Sequence, residues 1–126
     1  IVSSGVARFI GSIAHMLKVD DWAANDFLWD DDGFLSGPTS STVSSHDKGI
    51  MVEKLSKING FNPEMIWSVG DSSTDLSMQI PGSNFIGFNP ARQRSLDAFK
   101  NANVPIVIER DLTMIWPIIF GEKFPN

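Results

Sequence analysis

The stretch Ile66–Met78, IWSVGDSSTDLSM, constrains this chain more than any other. Ile66-Trp67-Ser68-Val69 is a short apolar run that predicts a buried strand. Gly70 breaks the run, and a short helical pattern follows at once. Asp71 is then expected at the strand tip and Asp75 in the first turn of the next helix. Open α/β sheets place ligands outside the carboxyl ends of their strands, so chemistry is expected here. Two carboxylates opening into one crevice suit a hard cation such as Mg2+, which takes oxygen ligands and keeps several waters. The same residues also read as a helix start, with Ser72 as the cap and Asp75 as the acid of a capping box. The capping reading accounts for Asp75 and leaves Asp71 unexplained.

The remaining composition sets limits. A chain of 126 residues, 42% hydrophobic and 20% charged, can build one domain with a core and is not of disordered composition. The net charge of -5, with no basic run, argues against a nucleic-acid partner. Zero cysteines remove disulfides, thiolate metal sites and cysteine nucleophiles. No apolar run reaches membrane-spanning length and no signal-peptide pattern is present, so a cytoplasmic protein without membrane contact is expected. The opening Ile1-Val2-Ser3-Ser4-Gly5 reads as the end of a strand running into a helix, as in a piece of a longer protein.

Along the chain, Val6, Phe9, Ile10, Ile13, Met16 and Leu17 predict an amphipathic helix over about 5–18. Ser3 and Ser4 would stand at its start, where unpaired N–H groups can hold an anion or the serines simply cap the helix. Phe27-Leu28-Trp29 and Phe34-Leu35 flank Asp30-Asp31-Asp32-Gly33, a hairpin with its turn at Asp-Gly. Those contiguous aspartates lack the alternating spacing of a calcium loop. A Ser/Thr/Gly/Pro-rich loop over 36–47 leads to a helix opened by Lys48-Gly49, with Met51, Leu55 and Ile58 on one face and Asn59-Gly60 at its end. A lysine at a helix start opposes the dipole, so Lys48 answers to something negative nearby or is a plain surface lysine. His15, His46 and Asp47 are assigned no role. Further on, Asn84–Phe88 predicts a strand, and a helix is expected from Asn89-Pro90 to about Asn101. Val104–Ile108 predicts an edge strand because of Pro105, and Asp111 caps a last helix with Leu112, Ile115, Trp116 and Ile119 inward. Strands alternating with helices imply a parallel sheet covered on both faces.

Taken together, these elements resemble the haloacid dehalogenase superfamily of phosphohydrolases, and within it the phosphoserine phosphatase type. Ile1–Gly5 is similar to that family's second motif. Ala24-Asn25 with Asp32–Gly37 resembles the hairpin of this branch. Lys48-Gly49 matches the third motif, Val69–Asp71 through Asp75–Met78 matches the acidic fourth, and Ile86–Ala91 resembles the strand and helix entry that follow.

The resemblance implies a single domain over 1–126, the carboxyl-terminal portion of an α/β, three-layer Rossmann-like core. It has a parallel sheet, helices on both faces and a small hairpin over about 26–37. It implies a Mg2+-dependent phosphomonoester hydrolase working through an aspartyl-phosphate. Ser3, Ser4 and Gly5 would bind the substrate phosphate, Lys48 would offset charge there, Asp71 would be a metal ligand, and Asp75 a direct or indirect one. Lys48 and Asp71 are the implied catalytic residues. The implied partner is a small phosphorylated substrate, and a dimer is compatible. Two departures stand out. Thr74 occupies a position where the family usually has Asn. The family's nucleophile, the first Asp of an Asp-x-Asp motif on a central strand, has no counterpart here, since Asp30 and Asp32 lie in the hairpin turn. The family places that strand between those of residues 1–3 and 66–69, so an upstream segment is expected to carry it. A phosphate- or metal-binding pseudoenzyme and a hydrolase of another small phosphoester, such as a sugar phosphate, stay open.

Overall fold

The structure, a computed structural model, describes residues 1–38 and 43–126. Part of the loop expected over 36–47 therefore lies outside the described residues. The strands are β1 (Val2–Val6), β2 (Ala23–Asn25), β3 (Phe27–Trp29), β4 (Leu35–Pro38), β5 (Trp67–Gly70), β6 (Asn84–Phe88) and β7 (Ile106–Val107). The helices are α1 (Ala7–Leu17), α2 (Gly49–Asn59), α3 (Gln93–Asn101) and α4 (Trp116–Phe120). Short 3-10 turns at Pro63–Met65, Ser73–Met78 and Leu112–Ile115 complete the order.

The parallel α/β architecture is present, but its strands do not form one continuous sheet. Among the described residues, β5, β6 and β7 make a parallel sheet in that order, β1 and β2 make a second parallel pair, and β3 and β4 make the antiparallel hairpin. The middle strand β6 carries three successive buried residues, Phe85, Ile86 and Gly87, the pattern of a strand covered on both faces. Phe85 and Ile86 join Val52 of α2, Met78, Ile80, Phe99 of α3 and Val104 among the buried core residues. Burial on this scale supplies most of the drive for folding, at about 25 cal/mol per Å² of apolar surface. Val2 and Ile66 pack against the same core from β1 and from the entry to β5. With Val52, Leu55 and Phe61 they line an apolar hollow of about 180 Å³.

The start of the first helix needs correction. The first helix starts at Ala7 and not near residue 5, because β1 extends to Val6, itself extended at φ -77 and ψ 125. Ser3, Ser4 and Gly5 instead form a bulge: Val2 is opposite Ala23 and Val6 opposite Asn25, so three residues face the single Ala24. The apolar stripe of α1 is also not its buried side. Phe9, Ile13, Met16 and Leu17 are exposed, and Ala14 is the residue that goes inside. On α2 the buried positions are Gly49, Val52 and Ser56, while Ile58 stands in solvent. Gly60 does end that helix, in the left-handed region at φ 67.

The last segment divides into a 3-10 turn and α4, and Leu112 is exposed. Asp111 caps that turn: the Thr113 hydroxyl and N–H both donate to its Oδ1, at 2.7 and 2.9 Å. The hydroxyl bond, then the backbone bond, holds the carboxyl below the usual carboxylate range. A depressed folded value favours folding above the unfolded value and loses that contribution as pH falls through the folded one. Asp111 is fully exposed, so the sensitive readout is its own titration. Thr113→Val is expected to move the Asp111 carboxyl midpoint upward in an NMR titration; an unmoved midpoint would show that the hydroxyl bond does not hold.

Candidate active site

Strand β5 delivers Asp71 directly beyond its last residue. The chain then turns back on itself so tightly that a Cβ on Gly70 would lie 2.3 Å from the Cβ of Asp75. Ser72 caps the following 3-10 turn, and its Oγ accepts from Thr74 N–H. Asp75 completes the capping box: its Oδ2 accepts from the N–H groups of Asp71 at 3.1 Å and Ser72 at 3.0 Å. The other oxygen, Oδ1, accepts from the Lys48 ammonium at 2.5 Å. This pair lies largely out of water, with the Lys48 side chain 15% and the Asp75 side chain 6% exposed. The Asp75 carboxylate thus caps the turn with one oxygen and holds Lys48 with the other.

Lys48 comes to this point from the N-cap position of α2, and the mismatch with the helix dipole is resolved by Asp75. The Lys48 backbone N–H donates to Ser77 Oγ at 2.9 Å, and Ser77 Oγ donates to the Thr74 carbonyl at 3.0 Å. Ser77 escaped sequence reasoning. The available signal was its spacing from Thr74, since residues three apart eclipse in a 3-10 turn.

The structure thus brings together Lys48, Asp75 and the backbone of Asp71. The Asp71 side chain is exposed and, with Ser72, Ala91, Arg92 and Ser95, lines a cleft of about 380 Å³ between the β5 tip and the start of α3. Ser95, buried, accepts from Ser73 N–H and so ties α3 to the same turn. A larger hollow, about 470 Å³, lies at the other end of α2 among Phe61, Pro63, Pro81 and the exposed Glu53–Lys57 pair. The Asp71 carboxylate lines the smaller cleft, and the Lys48–Asp75 pair is tied to it through the Asp71 and Ser72 N–H groups.

Ser3, Ser4 and Gly5 lie on the β1–β2 pair. The Gly5 N–H donates to Ser3 Oγ at 3.0 Å. Asn25 anchors the bulge: its Nδ2 donates to the carbonyls of Ser4 at 3.1 Å and Val43 at 2.8 Å, while its Oδ1 accepts from Val43 N–H. Among the described residues, no hydrogen bond joins Ser3, Ser4 or Gly5 directly to Lys48, Asp71 or Asp75. In the hairpin, Asp30 Oδ1 accepts from the N–H groups of Asp32 and Phe34, so that carboxylate shapes the turn.

As for metal ligands, no group of three or more His, Cys, Asp and Glu side chains is gathered among the described residues. The Asp71 carboxylate at the strand end is an oxygen donor of the kind Mg2+ accepts from a protein while retaining waters. No described helix is long and apolar enough to cross a membrane.

No family model matches the chain. A phosphoserine phosphatase from Methanocaldococcus jannaschii is 35% identical over 79 residues, which cover 62% of this chain and 37% of that protein. Among solved structures, a phosphoserine phosphatase in apo form superposes with a TM-score of 0.79 at 30% identity, covering 94% of this chain and 56% of that one. A substrate-bound phosphoserine phosphatase complex gives 0.78 at 30% identity, covering 94% and 54%. The chain spans little more than half of these structures and just over a third of the curated relative. A hydrolase from Salmonella enterica serovar Typhi, 16% identical with a TM-score of 0.76, shares the fold. The fold is therefore of the haloacid dehalogenase type. Within that type, the chain is phosphoserine phosphatase-like in both sequence and structure.

Proposed function

We propose that this chain is the carboxyl-terminal part of a Mg2+-dependent phosphomonoester hydrolase that acts on phosphoserine or a close small phosphoester. The observation that carries the reading is the Lys48–Asp75 pair, held at the end of β5 beside the exposed Asp71. Phosphoryl transfer depends on positioning and on charges fixed before the reaction, so a lysine held on a buried carboxylate is a fitting part. In this reading Lys48 faces a phosphate oxygen while Asp75 fixes its ammonium and leaves Asp71 free. Asp71, with Asp75 behind it, would hold Mg2+, which when bound neutralises charge on the phosphoryl group. Ser3, through its hydroxyl, and Ser4 and Gly5, through their backbone, would hold the phosphate from the β1 side. The nucleophile is a carboxylate from a segment outside these residues, and it would form the aspartyl-phosphate. A related structure is described as a phospho-aspartyl intermediate analogue of phosphoserine phosphatase, which supports that chemistry.

The test is hydrolysis of O-phosphoserine, with and without Mg2+, by the protein that joins this chain to an Asp-x-Asp segment. Mg2+-dependent turnover is expected. Asp71→Ala should abolish it, and Lys48→Ala should lower kcat by about 10²–10³ or more, the loss seen when a group stabilising transition-state charge is removed. Unchanged turnover in either variant would refute the assignment of that residue. Inorganic phosphate binding without turnover in the wild type would favour the pseudoenzyme, and a higher kcat/KM on a sugar phosphate would move the substrate.

A further inference from the structure

We propose that Ser77 is a positioning residue for Lys48, fixing the backbone from which the ammonium reaches its working place. The purpose of that ammonium rests on the phosphatase reading above; its placement does not. A lysine is a point charge on a flexible four-carbon stem, so its head has a defined position only if both ends are held. Here both holders come from one turn. Asp75 takes the ammonium, and Ser77 takes the backbone N–H of the same residue.

The Ser77 hydroxyl is committed on both sides. It donates to the Thr74 carbonyl, which turns a lone pair toward the Lys48 N–H. The first turn of α2 then hangs from that point, because the Lys48 carbonyl accepts from Met51 and Val52. The two elements also meet without a spacer: a Cβ on the buried Gly49 would fall 2.1 Å from the Ser77 carbonyl oxygen. The start of α2 is thus seated on the backbone of the turn that supplies Asp75, and the Ser77 hydroxyl sets the register of that seat. A helix without this bond could rock on its contact, carrying the Lys48 backbone away while Asp75 stays in place.

The experiment compares the acetylation rate of Lys48 with that of exposed Lys57 in this chain, resolved by mass spectrometry. Lys48 should react more slowly than Lys57. Ser77→Ala should raise the Lys48 rate by about tenfold, the scale of one net hydrogen bond, without changing Lys57. Ser77→Thr, which keeps the hydroxyl, should restore the wild-type rate, and Ser77→Cys, a weaker acceptor, should fall between them. Ser68→Ala is the control for general loosening, since it removes a buried hydroxyl that is bonded to the Met78 carbonyl and not to Lys48 or Asp75. An unchanged Lys48 rate in Ser77→Ala, or an equal rise in Ser68→Ala, would overturn the proposal. In the phosphatase assay, Ser77→Ala should lower kcat more than it raises KM and should add no loss in a Lys48→Ala background; additive losses would also overturn it. If Lys48→Ala leaves turnover unchanged, the phosphatase reading falls, while the labelling still decides the placement of Lys48.

Discussion

Asp75→Ala is expected to destabilise the fold by about 3–5 kcal/mol, the range for removing one partner of a buried ion pair. Two losses combine. The Lys48 ammonium, 15% exposed at its side chain, is left without its counter-charge. The N–H groups of Asp71 and Ser72 lose their shared acceptor, which opens the turn beyond β5. These losses fall on neighbouring groups and do not add simply. Urea unfolding should show the shift in midpoint at an unchanged slope. A loss below about 1 kcal/mol would place the pair in the class of solvated surface bridges. Lys48→Met combined with Asp75→Leu should recover part of the stability, because a buried pair can be replaced by apolar groups at little cost.

Phe99→Ala should cost a similar amount, about 3–5 kcal/mol, for a different reason. Phe99 is fully buried, and its ring lies 5.5 Å from that of Phe85 in a tilted arrangement. It packs so closely over β6 that a Cβ on Gly87 would stand 2.3 Å from the ring. Two elements therefore meet through one ring, and its removal leaves a void that the rigid strand cannot close. Thermal unfolding would register it as a large fall in Tm, against almost none for Ile58→Ala at an exposed site. Equal effects of the two substitutions would mean that the core is not centred on Phe99.

The parts of the fold legible in the sequence were those written in local chemistry. The apolar run Ile66–Val69 marked β5 to within one residue at each end, and the Asp-Gly hairpin, the Gly60 helix end and the edge placement of β7 follow from turn, cap and proline chemistry. The misplaced start of α1 has a non-local cause. Ala23-Ala24-Asn25 carries little strand propensity, yet it pairs with β1 and keeps Ser3–Val6 extended. Periodicity also predicts a stripe without saying whether anything covers it, and on α1 Phe9, Met16 and Leu17 of that stripe stand exposed. At the site, the residues themselves paired Asp71 with Asp75 and marked Lys48 apart from them, and the family resemblance alone placed all three together. The bond that joins Lys48 to Asp75 spans 27 positions, and no local pattern encodes it.

The side-chain amide of Asn25 has a consequence for chemical ageing. Its nitrogen faces the carbonyl oxygens of Ser4 and Val43, while its oxygen faces the Val43 N–H. Deamidation to aspartate would replace that nitrogen with an oxygen, setting a negative charge against two carbonyls where two donated bonds had been. A single hydrolysed amide, with almost no change in size, would turn the clasp on the Ser3–Gly5 bulge from attraction to repulsion.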